Sequence, residues 1–265
     1  VLAAALGTIG AEAADAFAIA AQLPTNIYAI ISSGLLAGVI VPQIIKAGSH
    51  RDGGSAFVSK LLTLGVVALA VTTLVAVAAA PLLVQWYGSR LGPEGVALTL
   101  AFAYWCLPQL LFYGLYALLG EILNARRVFG PFAWSPIVNN IVSILGFLVF
   151  IWVFGLHRDA TGWTPGMVAL MGGTATLGIV AQALVLLLFW RRAGLHVRPD
   201  FQWRGIGLRQ IGRLAGWTFL MVVVGQLAGL VQTNLVGEAS RAGASVAAMQ
   251  YAWLVFMLPF SVVVL

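Results

Sequence analysis

Apolar residues run along this chain in long blocks, separated by short clusters of charge, glycine and proline. Runs such as Leu61 to Val84 show no alternation of polar and apolar positions, so β-barrel strands of about ten alternating residues are excluded. Blocks of this length suit membrane-crossing helices, each needing about 20 predominantly apolar residues. The punctuation predicts the tail of a first helix at Val1 to Leu6 and a second helix from about Ala11 to Ala47. A third is predicted at Phe57 to Trp86, a fourth at Gly95 to Leu123, a fifth at Pro131 to Phe154 and a sixth at Pro165 to Trp190. A seventh follows at Ile211 to Val236, and an eighth starts near Ser245. The predicted fold class is all-α, a polytopic transmembrane helical bundle.

Composition strengthens that picture. Of the 265 residues 61% are hydrophobic and 8% charged, with a mean hydropathy of +1.00, whereas soluble domains carry roughly 25% charged residues. A water-soluble globule is excluded, and seven or eight helices leave no room for a separate soluble domain. The chain starts at Val1 and ends at Leu265 inside an apolar run, which reads as a piece of a longer membrane protein. Its start lacks the basic segment of a signal peptide.

The net charge of +6 fits the basic cytoplasmic loops of membrane proteins and needs no nucleic-acid partner. Lys46, Arg51, Lys60, Arg126, Arg127, Arg191, Arg192, Arg198, Arg204, Arg209 and Arg213 fall in alternate connections, against Arg90, Arg158 and Arg241 in the others. By the positive-inside rule the first set is cytoplasmic, and so is the N-terminal side.

A second helix of about 37 residues would reach roughly 55 Å at 1.5 Å per residue, beyond a hydrocarbon core of about 30 Å. It must kink, tilt or protrude, with Pro24 and Gly34 as candidate hinges. Leu23-Pro24 after AADAFAIAAQ resembles Leu258-Pro259 after AAMQYAWLVFM, so Pro259 is a third candidate kink in a weak internal repeat. Such repeats are a common plan of two-lobed transporters. The expected organisation is a first lobe over residues 1–190, a basic cytoplasmic interfacial linker over 191–210, and the start of a second lobe over 211–265.

Enzyme chemistry finds little support. Lys46 and Lys60 follow Ile45 and Ser59, outside any phosphate-binding loop, and His50, His157 and His196 are isolated from metal-ligand partners. No metal, cofactor or catalytic constellation is expected. Cys106, the single cysteine, lies in an apolar stretch and reads as core or lipid-facing filler. Ionisable groups at membrane depth carry more weight. Asp15 is a candidate for function or for a solvated acid near a helix start, and Glu121 for a local ion pair with Arg126 or Arg127. Uncharged candidates for a polar cavity are Gln22, Asn26, Tyr28, Ser33, Asn139, Asn140, Gln182, Gln226, Gln232 and Asn234, each also able to serve as interhelical glue. The segment from Arg191 to Arg213 interleaves six arginines with apolar residues, as an interfacial element anchored to an anionic leaflet does.

The stretches DAFAIAAQLPTNIYAIISSGLLAGVIVP, LLGEILNARRVFGPFAWSPIVNNI and QYAWLVFMLPFSVV resemble the MurJ (MviN) family, most closely its actinobacterial branch. That family belongs to the multidrug/oligosaccharidyl-lipid/polysaccharide exporter superfamily. The resemblance implies a fourteen-helix, two-lobed flippase of the bacterial cytoplasmic membrane that moves the peptidoglycan precursor lipid II by alternating access. This chain would supply the first lobe and two further helices. Cavity arginines that the resemblance would place in the second and eighth helices are Tyr28 and Leu254 here, and a nearby glutamate is Ser33, while Asp15 is retained. The expected partners are a lipid-linked diphosphate glycan, membrane lipids and cell-wall synthesis proteins. The competing readings are a related polysaccharide-precursor or multidrug exporter, and a non-transporting scaffold for cell-wall synthesis.

Overall fold

The computed structural model describes residues 12–35, 54–88, 91–156, 161–190, 194, 198–202, 208–239 and 246–264. Among them nine helices occur: α1 Glu12–Leu35, α2 Ser55–Ala78, α3 Ala80–Tyr87, α4 Pro93–Cys106, α5 Gln109–Ala125, α6 Gly130–Phe154, α7 Pro165–Leu188, α8 Leu208–Ala239 and α9 Val246–Val264. The described residues contain no strand, so the fold is all-helical as expected. By length and apolarity α2, α6, α7 and the combined α4–α5 stretch can each cross a membrane. Shorter apolar runs occupy Val223–Val236 in α8 and Ala247–Met257 in α9. The expected first-helix tail and residues 36–47 of the expected second helix lie outside the described residues.

Two expected helices are each divided in two. The run from Phe57 to Trp86 breaks at Ala79, because Pro81 brings no N–H and its ring crowds the carbonyl four residues back. In the run from Gly95 to Leu123 the hydrogen-bond pattern changes at Leu107 and Pro108 for the same reason, but both residues keep helical dihedrals and Pro93–Ala125 remains one crossing. Uninterrupted apolarity conceals both breaks in the hydropathy pattern. By contrast α1 continues through Pro24, and α6 continues through Pro136. Pro136 leaves the Phe132 carbonyl without its helical donor, and the Tyr116 hydroxyl of α5 donates to that carbonyl at 3.0 Å. A neighbouring helix thus satisfies the freed backbone group, as membrane depth requires.

Small residues bring the helices together. α6 and α7 are the most extensively packed pair, with Gly146 of α6 against Thr174 and Gly178 of α7 against Asn139. On α1, Ala13, Ala14, Ala16, Ala18 and Ala20 are buried, and α1 packs on both α4 and α8. Phe17 stands edge-on to Phe102 at 5.2 Å and to Phe147 at 6.2 Å, and Trp163 stacks on Phe150 at 5.5 Å. These rings centre one apolar core on α1, α3, α4 and the ends of α6 and α7. A second core joins the first half of α2 to the last half of α5 and Leu186 of α7. Leu145, Leu148 and Trp152 on the outer side of α6 are exposed, as a face solvated by lipid tails is.

Candidate functional site

α1 is the spine of the site, because it touches α3, α4, α5, α8 and α9. Asp15 lies in its first turn and is only 4% exposed. Its Oδ1 accepts the backbone N–H of Ala247 at 2.9 Å. Ala247 is in the first turn of α9, where backbone donors have no intrahelical acceptor and the helix dipole is positive. One carboxylate therefore stands at the N-terminal ends of two helices, which compensates its burial. Of the two readings open for Asp15, the solvated acid is not the one observed: the packing of α9 on α1 closes over its side chain, which lines neither of the two cavities further along α1. Beside it, Glu12 Oε1 accepts the Gly92 N–H at 3.2 Å, tying the start of α1 to the start of α4.

One to two turns further along α1 the contacts become amide-rich. Gln250 Nε2 of α9 lies 3.4 Å from the Ala18 carbonyl and 3.4 Å from Gln22 Oε1. Gln22, Gln232, Thr233, Gln250, Trp253 and Leu254 line a cavity of about 750 Å³ between α1, α8 and α9. A second cavity of about 600 Å³, between α1, α3 and α8, is lined by Asn26, Gln85, Trp86, Tyr87, Gln226 and Leu230. Asn26 Nδ2 donates to the Tyr87 hydroxyl at 3.3 Å, and Asn234 Nδ2 of α8 donates to the Trp86 carbonyl at 3.0 Å. Neither cavity has a charged lining residue among the described ones. Most of the lining is apolar, with residues such as Ile27, Val223, Leu227 and Phe256; the few carboxamides can donate to and accept from hydroxyl groups, and neither wall offers a cation to a diphosphate among the described residues.

The structure thus gathers Asp15, Gln22 and Asn26 along one side of α1, with Gln226, Gln232 and Asn234 facing from α8. Leu254, in a position where the family resemblance expects arginine, lines the same cavity as Gln22. Tyr28 points to α5, its ring 6.1 Å from Tyr113, and Glu121 lies within electrostatic range of its hydroxyl. Asn140 is exposed on α6 and lines neither cavity. Pro24 is buried within α1, and Gly34 and Ser33 belong to its last turns; the Ser33 side chain lies outside the described residues. Pro259 falls within α9. Of the expected membrane-surface arginines, Arg198 is exposed, Arg209 and Arg213 lie in α8, and Arg191, Arg192 and Arg204 are outside the described residues. Gln85 and Gln250 were not among the expected residues; a lone glutamine in an apolar run carries no signal of its partner. Among the described residues no three of His, Cys, Asp and Glu gather as metal ligands.

The comparisons with known proteins agree with this architecture. The family model described as "Lipid II flippase MurJ" matches residues 2–265. A Rhizobium tropici protein described as "Probable lipid II flippase MurJ" is 29% identical over 270 residues, covering 99% of this chain and 48% of the relative. The "Lipid II flippase MurJ" of Burkholderia cenocepacia is 26% identical over 233 residues, covering 86% of this chain and 43% of that protein. The chain therefore spans about half the length of the curated relatives it matches. A solved structure titled "Lipid II flippase MurJ, inward closed conformation" shares the fold with a TM-score of 0.68 at 19% identity, covering 98% of this chain and 51% of its own. An actinobacterial placement finds no support in these relatives. With four helices long and apolar enough to cross a membrane and a match over nearly its whole length, the chain belongs to the MurJ lipid II flippase family, multi-pass proteins of the bacterial inner membrane.

Proposed function

We propose that the intact protein carries lipid II from the inner to the outer leaflet by alternating access. In this reading residues 1–190 form the first lobe, 191–210 a basic linker on the cytoplasmic surface, and 211–265 the start of the second lobe. The orientation rests on the alternation of basic residues, which puts the start of α1, the start of α9 and the Asp15–Ala247 bond on the outer side. That bond is the observation that carries the reading. It joins the first lobe to the second at one end, while the two mainly apolar cavities, each with a few amides in its wall, lie deeper along α1.

A carboxylate on a helix N-terminus is a contact that two separating helices can break and remake without distorting either backbone. With it made, the outer side is shut; with it broken, α9 is free to move from α1. The amides Gln22, Gln232, Gln250, Asn26, Gln85 and Gln226 in these walls bond the sugar portion of the cargo, and the diphosphate takes its counter-charge from residues outside them. The interfacial arginines hold the linker on the anionic leaflet. The membrane potential, an ion gradient or the cargo gradient supplies the drive.

The experiment is outer-leaflet exposure of lipid II in cells depleted of their own flippase and supplied with the intact protein. Restoration by wild type and loss with Asp15→Ala at equal membrane abundance support the proposal. Restored export of a different glycan would favour a related exporter, and growth rescue without any transport would favour the scaffold.

A further inference from the structure

α2 and α5 are packed as an interlocked pair. Leu118 of α5 fills the space beside Gly65 of α2, where an added methyl would stand 2.5 Å from Leu118 Cδ1, and Leu69 of α2 fills the corresponding space beside Gly114 of α5. Reciprocal contacts of this kind hold two helices at close range. Both members of the pair are cut from their outer continuations by proline: α2 from α3 at Ala79, just before Pro81, and α5 from α4 at Leu107 and Pro108.

The second break is completed from outside its own helix. Leu107 N–H still bonds the Ala103 carbonyl at 2.8 Å, but Leu110 N–H turns to the Leu107 carbonyl at 3.0 Å and Leu111 N–H to the Pro108 carbonyl at 3.3 Å. The hydroxyl of Thr176 on α7 donates to the Trp105 carbonyl at 2.6 Å and accepts from Gln109 Nε2 at 2.9 Å. Gln109 is only 3% exposed, whereas the Thr176–Trp105 end of this bridge is exposed.

The apolar interior divides at the same level. Leu107 and Leu110 belong to the outer core, whereas Leu111 and Leu115 pack on the inner one. On α2, Leu69 is in the inner core and Ala76 in the outer, with buried Thr73 between them. A polar residue stands near the change of core on each helix: Thr73 on α2, whose hydroxyl donates to its own Leu69 carbonyl, and Gln109 on α5, which donates to Thr176 of α7. The chain leading towards α8 is fastened to the inner unit: Arg198 N–H donates to Ser59 Oγ at 3.2 Å and Asp200 N–H to Thr63 Oγ1 at 3.0 Å.

We infer that α2 and α5 form one hinged unit inside the lobe, which swings about Ala79–Pro81 and Leu107–Pro108 and carries the 198–200 segment with it. Hinges concentrate a large motion in a few element-terminal residues, and both breaks are of that kind. The strapped segment then passes the swing to the start of α8. The inference rests on the alternating-access reading, and its test separates the two.

Pulsed electron paramagnetic resonance on the intact protein in nanodiscs, in a Cys106→Ser background, measures three label pairs with and without purified lipid II. Leu82 with Arg127 reports the hinged unit, Leu82 with Trp152 the outer core, and Leu82 with Leu254 the separation of α9. The expected result is two distances for Leu82–Arg127, redistributed by lipid II, with a single unchanged distance for Leu82–Trp152. Pro81→Ala combined with Pro108→Ala should leave one distance, and Thr176→Val should broaden the distribution. If Leu82–Arg127 holds a single unmoved distance while Leu82–Leu254 changes, the hinge is overturned and alternating access stands. If neither pair moves, both fall.

Discussion

The carboxylate of Asp15 accepts the backbone N–H of Ala247, joining the first turn of α1 to the first turn of α9 across 232 positions of sequence. Hydrogen bonds to a charged group contribute about 1.5–3 kcal/mol, and each 1.4 kcal/mol is a tenfold change in an equilibrium. Asp15→Ala should therefore shift the outer contact towards the open form by roughly 10- to 100-fold, read as increased thiol labelling of a cysteine at Ala18. Asp15→Asn keeps an acceptor and loses only the charge–dipole part, about 0.3–1 kcal/mol, so its shift should be smaller. In growth complementation at matched abundance, Asp15→Asn should still be more harmful than Glu121→Gln. The reverse order would move the functional weight to the Glu121–Tyr28 neighbourhood.

Packing at the glycines gives a stability prediction. A leucine at Gly114 must displace Leu69, and overpacking of this kind costs about 1–3 kcal/mol. Gly114→Leu should lower the thermal unfolding midpoint in detergent. Gly130→Ala, where nothing stands within 4 Å of the added methyl, should leave it unchanged. Equal midpoints for Gly114→Leu and wild type would mean that α2 and α5 are not in close contact.

The strap on α2 gives a local prediction. Thr63→Val removes the acceptor of the Asp200 N–H, a loss of about 1 kcal/mol confined to one segment. Hydrogen exchange should quicken at 198–202 with little change in the global unfolding midpoint. Unchanged exchange at Asp200 would show that the strap is held by something else.

Orientation is tested by impermeant thiol labelling of single cysteines in a Cys106→Ser background. Positions Arg90, Arg158 and Arg241 should react from outside in sealed cells, and Arg51 and Arg198 should not. Labelling at Arg51 would invert the topology and place the Asp15–Ala247 bond on the inner side.

Much of the helix layout was legible in the sequence, because glycine, proline and charge punctuate it: Pro131, Pro165 and Ser245 each stand within a residue of a helix start. The breaks at Ala79 and Leu107 were less legible, since Pro81 and Pro108 sit in unbroken apolar runs while Pro24 and Pro136 are tolerated inside helices. Proline alone does not decide between a break and a passage; at Pro136 the freed Phe132 carbonyl accepts from the Tyr116 hydroxyl of another helix, a contact that no local pattern shows. Asp15 stood out as an acid in an apolar segment, but its partner is a backbone N–H, which every residue except proline has. For the same reason Gln250 was invisible beside Gln22: the pairing is created by the packing of α9 on α1, not by any local pattern.

The central claim is that separation of α9 from α1 on the outer side is required to deliver the cargo. Cysteines replacing Gln22 and Gln250, whose side chains meet at 3.4 Å, can be joined by a short bis-thiol linker in the Cys106→Ser background of the intact protein. Outer-leaflet exposure of lipid II should stop when the linker is closed and recover when a cleavable version is cut by reductant. Continued lipid II exposure with the crosslink complete would contradict the account.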